Sequence, residues 1–399
     1  MKTAHHHKKI LLCGAVVLVL ALNTSTLAFP PDPDNAALLY YQAFLLQKRP
    51  DDTMADLVAE LAKGKIAPHE KIAQYLQTNK RVIDLATAAA EMPTCNWGLK
   101  YSDGFEMEIP HLWQARYTAR LIIADARILA ANKDYYTAID RCLTTRKFAL
   151  HIAKEPTLIN WLAGFGIEEM TNNCIRDLLG STKLDPDTLK WLTTQLDRLD
   201  KCAVPLNVPF GGECEFIASY FNSKKALQAI AIIRTGLDED YNDRADTAIQ
   251  RIRNADEQFF KRNADYFDNH TDAVQAALSL PYEQAYNTLK DLGEKPADQF
   301  QNNPDATLTA LLAPSFYKPY NYQVRRNTHS NALRAALEIY AVLARTGQLP
   351  TTLPADLPAD MFSGRDFQYE NQAHAFTLRC RYKDLLKDEI PQYTFGIAE

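Results

Sequence analysis

The chain has 399 residues, of which 47% are hydrophobic and 23% charged, values that exclude wholesale disorder and allow one large or two medium domains. The formal net charge of −5 excludes the strongly basic surface of a nucleic-acid-binding protein, so no nucleic-acid partner is predicted. Glycine is scarce, with 14 residues, and the abundance of alanine and leucine favours helices.

Residues 1–28 have the parts of a secretory signal. Lys2, Lys8 and Lys9 precede an apolar run over residues 10–22, and a small-residue cleavage site ends at residue 28. The run is shorter than the roughly 20 residues that span a bilayer. The sequence therefore predicts a cleaved signal peptide and an exported protein of the periplasm or cell envelope. The alternative is that the segment stays uncleaved as a membrane anchor. We expect membrane contact only through this segment.

Six cysteines follow the predicted signal, and an oxidising compartment would allow them to form disulfides. Cys202 and Cys214 flank the loop-like stretch "AVPLNVPFGGE", so we predict a bridge between them. Cys142 and Cys174 lie on apolar helical faces and are predicted to be small buried residues. Neither a CxxC pair nor a Cys/His cluster has zinc-binding spacing, so no metal site and no cofactor is predicted.

Helical patterns follow one another from Asp34 to about residue 92. One helix is predicted over residues 35–48 and another over 51–64. Residues 67–92 fit either one long helix or two that are separated near Asn79. The loop that follows, residues 93–110, is rich in aromatic residues. We expect it to be a lid that packs on the core rather than a ligand-binding loop.

The most regular helical patterns follow Pro110. A helix from there is predicted to turn at residues 132–134 and to return as a second helix, and Pro156 and Pro186 begin two more. Short corners place such helices antiparallel to their neighbours. The corner does not recur at a fixed spacing of about 30 to 45 residues, so the sequence predicts an irregular array of helical hairpins and not a solenoid.

The remaining helices are predicted at residues 214–236, within the charged stretch 237–270, and at 331–347. Beyond Gly347, alternating apolar residues predict two strands around a turn at residues 371–372, and "QYTFGI" predicts a third. The fold is therefore predicted to be mainly α, with antiparallel helical hairpins and a small C-terminal antiparallel β-sheet. The predicted divisions are a signal at 1–28, a helical domain at 29–346 and an extended segment at 347–399.

Residues 333–380 resemble the helix-then-sheet tail of exported, uncharacterised proteins of planctomycete-type bacteria, a tail that is similar to the end of type II secretion pseudopilins. The matching residues are Gly347, Leu349, Pro350, Phe362, Ser363, Gly364, Tyr369, Phe376 and Leu378. Met361 replaces the usual proline, and the acidic, glycine-rich calcium-binding ending is missing, so no calcium site is implied. Residues 34–320, with "CNWG" and "PHLWQARYTARLI", look like the helical body of the same proteins. The resemblance implies architecture and compartment but no activity.

Two arginines are the first candidates for ligand binding. Arg116 and Arg120 lie one helical turn apart, a spacing that suits a bidentate grip on a carboxylate or phosphate. The alternative is that they form ion pairs with acids of the next helices, such as Glu168 or Asp140. The sequence alone favours these structural ion pairs.

Acidic residues are the second set of candidates. Glycoside hydrolysis needs two carboxylates that face each other across the scissile bond, and Glu213 and Glu168 are the candidates for such a pair, beside Glu169 and Glu215. Glu213 lies at a Gly-Gly step before a predicted helix, where a glutamate also serves as an ordinary first-turn residue. The sequence does not place any two of these acids together.

Trp97, in the aromatic loop, and His111, just after it, are the remaining ligand-binding candidates, and His151 is predicted to be a packed or surface histidine. Nucleophile-triad signatures and the HExxH, GxSxG, P-loop and GxGxxG patterns are absent. The function predicted is an exported helical scaffold or binding protein with an envelope protein or a glycan as its partner. The alternatives are a glycan- or peptide-cleaving hydrolase with paired carboxylates and, from the tail alone, a membrane-tethered subunit of a secretion-like assembly.

Overall fold

A computed structural model describes residues 32–233 and 239–398, and the predicted signal at 1–28 lies outside them. The described part is mainly helical with a small C-terminal sheet, as the sequence predicts. Its α-helices are α1 (Ala36–Leu46), α2 (Asp52–Ala62), α3 (Glu70–Thr78), α4 (Lys80–Ala90), α5 (His111–Ala131), α6 (Tyr135–Ala153), α7 (Leu158–Ser181), α8 (Pro186–Lys201), α9 (Asn207–Ala218), α10 (Ser223–Ile233), α11 (Glu239–Arg253), α12 (Glu257–Ala277), α13 (Tyr282–Gln299), α14 (Thr307–Leu312) and α15 (Tyr317–Thr346).

Polar side chains set many of the helix starts, because each satisfies backbone N–H groups that the helix itself leaves unpaired. Asn35 accepts a hydrogen bond from the N–H of Ala37, and Asp51 accepts one from the N–H of Met54 at 2.8 Å. Asn79 lies between α3 and α4, which confirms that residues 67–92 contain two helices.

The predicted corner between α5 and α6 is confirmed. Lys133 adopts a positive φ of 66°, and the Asp134 side chain caps α6. The return helix packs closely on α7 because α7 carries a glycine at the crossing. A Cβ on Gly164 would lie 2.6 Å from the carbonyl oxygen of Ala149. Antiparallel helical hairpins therefore form the middle of the protein, with backbones in near contact.

Buried side chains form three hydrophobic clusters in the described part of the chain. The first joins α1 to α7, and the second joins α6 to α8 with α13, α15 and the C-terminal segment. The third joins α9 to α12 with α14. Residues beyond Gly347 thus contribute to the same cluster as the central helices.

The stretch that was predicted as a loop between Cys202 and Cys214 is largely helix α9. Pro209 lies in its first turns, where no intrahelical N–H bond is lost. Gly212 lies against the chain entering α7, and a Cβ there would meet the carbonyl oxygen of Pro156 at 2.0 Å. Gly212 therefore serves helix packing rather than a flexible turn, whereas a Cβ on Gly211 would meet nothing within 4 Å.

The predicted disulfide between Cys202 and Cys214 is not present, and all the cysteines that the structure describes are free thiols. Cys202 is exposed at the end of α8, whereas Cys214 is half-buried inside α9 against apolar neighbours. Cys142 and Cys174 are fully buried in the central cluster, as predicted.

The C-terminal sheet contains β1 (Gln368–Gln372), β2 (Ala375–Arg379) and β3 (Gln392–Gly396), in the order β1-β2-β3 with antiparallel neighbours. The turn between β1 and β2 falls at residues 373–374, two positions after the predicted one, because Asn371 and Gln372 still pair with Phe376 and Ala375. The third strand is confirmed.

Two copies of one aspartate turn lead into the outer strands. Asp360 and Asp384 are both fully buried, and the backbone N–H of each donates to a carbonyl five residues later. The fifth residue of each turn, Gly364 or Asp388, has a positive φ of 67° or 54°. Each turn is followed at the same distance by a Gln-Tyr pair that begins a strand. The sequence thus encodes one structural unit twice.

The sheet is attached to the helices by close contacts of its last strand. A Cβ on Gly180 of α7 would lie 3.0 Å from the backbone nitrogen of Gly396. Tyr340 of α15 donates a hydrogen bond to the carbonyl of Gly396 at 2.5 Å, and Phe376 and Phe395 are fully buried. In residues 32–233 and 239–398, no helix combines the length and hydrophobicity that a membrane crossing needs.

Candidate functional site

A cavity of about 420 Å³ opens between α2, α5 and α7. Ligand sites in proteins occupy clefts of roughly 300–1,000 Å³. Arg116 and Arg120 come from α5, Lys63 follows α2, and Glu169 and Asn173 come from α7. Three of these groups are cationic and one is acidic, so the cavity favours an anion.

Arg116 and Arg120 line this cavity together because residues four apart lie on one face of a helix. Arg116 is exposed and Arg120 half-buried. Neither guanidinium forms a hydrogen bond or ion pair within the part of the chain that the structure describes. The expected ion pairs with Glu168 or Asp140 are therefore not formed. Lys63, by contrast, is paired with Glu60 at 2.8 Å.

The floor of the cavity is apolar and has a gap above a glycine. Leu162, Ala163, Ile167 and Met170 of α7 contribute to the lining. Gly166 lies among them, and a Cβ at this position would meet nothing within 4 Å. A glycine inside a helix costs about 1 kcal/mol relative to alanine, and here it leaves space in the cavity. The geometry suits an anion with an apolar body.

Glu169 lines the cavity and also contacts a buried residue of α15. Its carboxylate lies 3.1 Å from Nδ1 of His329, a buried histidine of α15. Burial alone would raise the pKa of Glu169, but His329 and Arg325 outweigh that effect and the pKa is lowered. His329 stacks on Tyr393 of β3 with ring centroids 4.8 Å apart. The carboxylate of Glu169 is therefore held in position by its contact with His329.

Glu168 belongs to a buried ion network and does not reach a cleft. It accepts hydrogen bonds from Arg146 at 2.8 Å and from Arg326 at 2.9 Å. Arg146 is 1% exposed and also contacts Asp200 and Ser330. Burial would raise the pKa of Glu168, yet the two arginines lower it. This acid therefore cannot serve as one of two carboxylates across a glycosidic bond.

Trp97 and His111 lie in the aromatic core of the first cluster. Their rings stack with centroids 4.4 Å apart, and they are 2% and 1% exposed. His111 Nε2 lies 2.9 Å from the side-chain oxygen of Asn160, and the Trp97 indole N–H donates to the carbonyl of His151. The predicted lid is thus packed on the core, and both side chains have structural contacts in place of the predicted ligand.

The two core histidines make the fold sensitive to acid. Burial lowers the pKa of His111 and of His151 to about 4, from 6.5. The unfolded chain therefore binds more protons between these values, so stability is complete above pH 6.5 and falls as the pH drops towards 4. At about pH 4, each histidine should lower the free energy of unfolding by up to about 3 kcal/mol.

Chemical denaturation at pH 7 and pH 4.5 measures this loss. The double variant His111→Gln/His151→Gln should lose less unfolding free energy between the two pH values than the parent does, because glutamine does not titrate. An identical loss in the variant would contradict the assignment to these histidines.

Glu213 occupies a second cavity, under the aromatic loop. One carboxylate oxygen accepts the N–H of Leu158 at 2.7 Å and so satisfies the first turn of α7. Burial raises the pKa of Glu213. The structure thus keeps apart the two acids, Glu213 and Glu168, that a hydrolase was predicted to pair.

Sequence reasoning missed Arg146, Arg326 and His329, whose buried roles have no local signal because each needs a partner on a distant helix.

Among the described residues, no group of histidine, cysteine and acidic side chains is arranged to hold a metal ion. Comparisons with protein-family models, with curated proteins and with solved structures find no significant match to this chain.

Proposed function

We propose that the protein is an exported binding protein of the bacterial cell envelope that holds a small organic anion between α2, α5 and α7. The observation that carries this proposal is the pair of guanidinium groups, Arg116 and Arg120, that line one cavity without a protein partner. Export rests on the sequence features of residues 1–28.

The chemistry of the cavity supports a ligand with one anionic end. Guanidinium groups bind carboxylate and phosphate oxygens through charge-assisted hydrogen bonds, and two of them one turn apart accept both oxygens of one group. The apolar side of α7 and the gap at Gly166 suit an aryl or alkyl body. These groups hold and orient an anion, so we propose binding as the function of this cavity.

Isothermal titration with benzoate and phenyl phosphate tests the site, with benzyl alcohol as the neutral comparison. Both anions should bind and the alcohol should not. The double variant Arg116→Gln/Arg120→Gln should lose at least about tenfold in affinity, since one charge-assisted hydrogen bond contributes about 1.5–3 kcal/mol. Gly166→Leu should also block binding, because its side chain would occupy the gap above α7.

Arg81→Gln is the matched control. Arg81 is exposed on α4, outside the cavity, so its loss removes one charge without changing the site. Its affinity for the anions should equal that of the parent. Equal binding by the double variant and the parent, or no binding of either anion to the parent, would refute the proposed function.

A further inference from the structure

The second cavity, of about 490 Å³, lies between α9, the aromatic loop and the start of α7. Tyr101, Phe105 and Phe216 contribute aromatic rings, and Glu213 and Glu215 contribute carboxylates. Its lining contains no lysine, arginine or histidine. This cavity and the one between α2, α5 and α7 therefore have opposite electrostatic character.

The walls of this cavity are fixed by packing. The rings of Phe105 and Phe216 are 4.8 Å apart, and the N–H of Phe105 donates to the Tyr220 hydroxyl at 2.8 Å. Gly104 makes this approach possible. It has a φ of +63°, and a Cβ there would lie 1.6 Å from the Tyr220 oxygen. The loop is therefore held in one place against α9.

The carboxylates are available to a ligand. One oxygen of Glu213 is bonded to the N–H of Leu158, and the other forms no such bond within the described chain. Glu215 is exposed and has no ion-pair partner in the same part of the chain. Burial raises the pKa of Glu213. A cation bound beside the carboxylate would lower this pKa, because it favours the charged form.

Aromatic rings and carboxylates together form the environment that proteins use to bind organic cations. The negative face of an aromatic ring attracts a cation within about 6 Å of its centre, and quaternary ammonium groups are bound in this way. Tyr101, which is 41% exposed, lies where an incoming ligand meets the cavity. Its hydroxyl donates to Glu155, which positions the ring.

We propose that this cavity binds an organic cation of the quaternary or methylated ammonium class through the rings of Tyr101, Phe105 and Phe216 and the carboxylates of Glu213 and Glu215. Glycan cleavage is the less suitable use of the same cavity. Both lining carboxylates come from α9, whereas that reaction needs acids on opposite sides of the scissile bond.

Isothermal titration of the full chain with choline and tetramethylammonium tests the inference, with 3,3-dimethylbutanol as the neutral analogue of choline. The two cations should bind and the alcohol should not. The double variant Glu213→Gln/Glu215→Gln should lose at least about tenfold in affinity for both cations. Glutamine at position 213 still offers an oxygen to the N–H of Leu158, so the variant retains the contact at the start of α7.

Glu106→Gln/Glu108→Gln is the matched control. It removes two exposed carboxylates from the same loop, outside the cavity lining, and should bind as the parent does. Arg116→Gln/Arg120→Gln should also keep its affinity for choline, so failure at one cavity is distinguishable from failure at the other. Absence of cation binding, equal binding of the alcohol, or unchanged affinity in the Glu213/Glu215 double variant would overturn the inference.

Discussion

Replacing Arg146 with methionine should lower the free energy of unfolding by about 3–5 kcal/mol, because it removes one of the two cations that balance the buried carboxylates. Arg146 reaches Glu168 at 2.8 Å and also contacts Asp200, and the side chain of Glu168 is 7% exposed. Arg326 still pairs with Glu168 at 2.9 Å, but Asp200 loses its close contact with Arg146 and keeps only the longer contact with Arg326, at 3.9 Å. Methionine fills much of the volume and supplies no positive charge.

Arg141→Met on the same helix is the matched control. Arg141 pairs with Asp125 at 2.9 Å, with both side chains about one-fifth exposed, so the loss of this pair should cost only about 1 kcal/mol. Equilibrium unfolding in urea, followed by circular dichroism, compares the two variants. Equal losses of unfolding free energy would show that burial does not make the Arg146 network more stabilising than the partly exposed pair of Arg141 and Asp125.

Asp384→Ala should also cost about 3–5 kcal/mol, because one buried carboxylate accepts hydrogen bonds from two elements. Arg325 Nε donates to it at 2.8 Å and the Asn321 side chain at 2.9 Å, both from α15. The backbone N–H groups of Leu386 and Lys387 donate to the same side chain. Alanine would leave the Arg325 charge unpaired and detach the second aspartate turn from the long helix.

Asp388→Asn tests whether the effect belongs to the carboxylate or to the turn. Asp388 lies in the same turn with its side chain 78% exposed, and asparagine tolerates its positive φ. This variant should lose less than about 0.5 kcal/mol. Hydrogen exchange should show faster exchange of β3 amides in Asp384→Ala alone. Protection of β3 equal to that of the parent would contradict the proposed attachment.

Local signals predicted most of the helices and the three strands, but the single helix predicted from residue 214 is divided, because α9 ends at Ala218 and α10 begins at Ser223. The corner at Lys133 and the break at Asn79 have their chemistry within a few residues, so the sequence contains all that determines them. The helix α9 was missed because Pro209 and the Gly-Gly step are typical of loops. Only the three-dimensional approach of Gly212 to Pro156 shows why a glycine occurs at position 212 in a helix.

The candidate site was predictable only in part. The spacing of Arg116 and Arg120 correctly placed both on one face, but their lack of partners depends on Glu168 pairing elsewhere. Arg146 beside Lys147 resembles a solvated basic pair in the sequence, and its burial follows from acids on other helices. The repeated aspartate turn did leave a signal: Asp360 and Asp384 precede Gln-Tyr at equal spacing.

The buried ion network has a consequence for the order of folding. Arg146 and Ser330 are 184 positions apart, and Glu168 and Arg326 are 158 apart, whereas the α5–α6 corner joins neighbours. Contacts of such sequence separation form slowly because a long segment must first be brought round. We therefore expect the hairpins to form early and the buried ion network to form last, so that its charged groups stay hydrated until the distant helices meet.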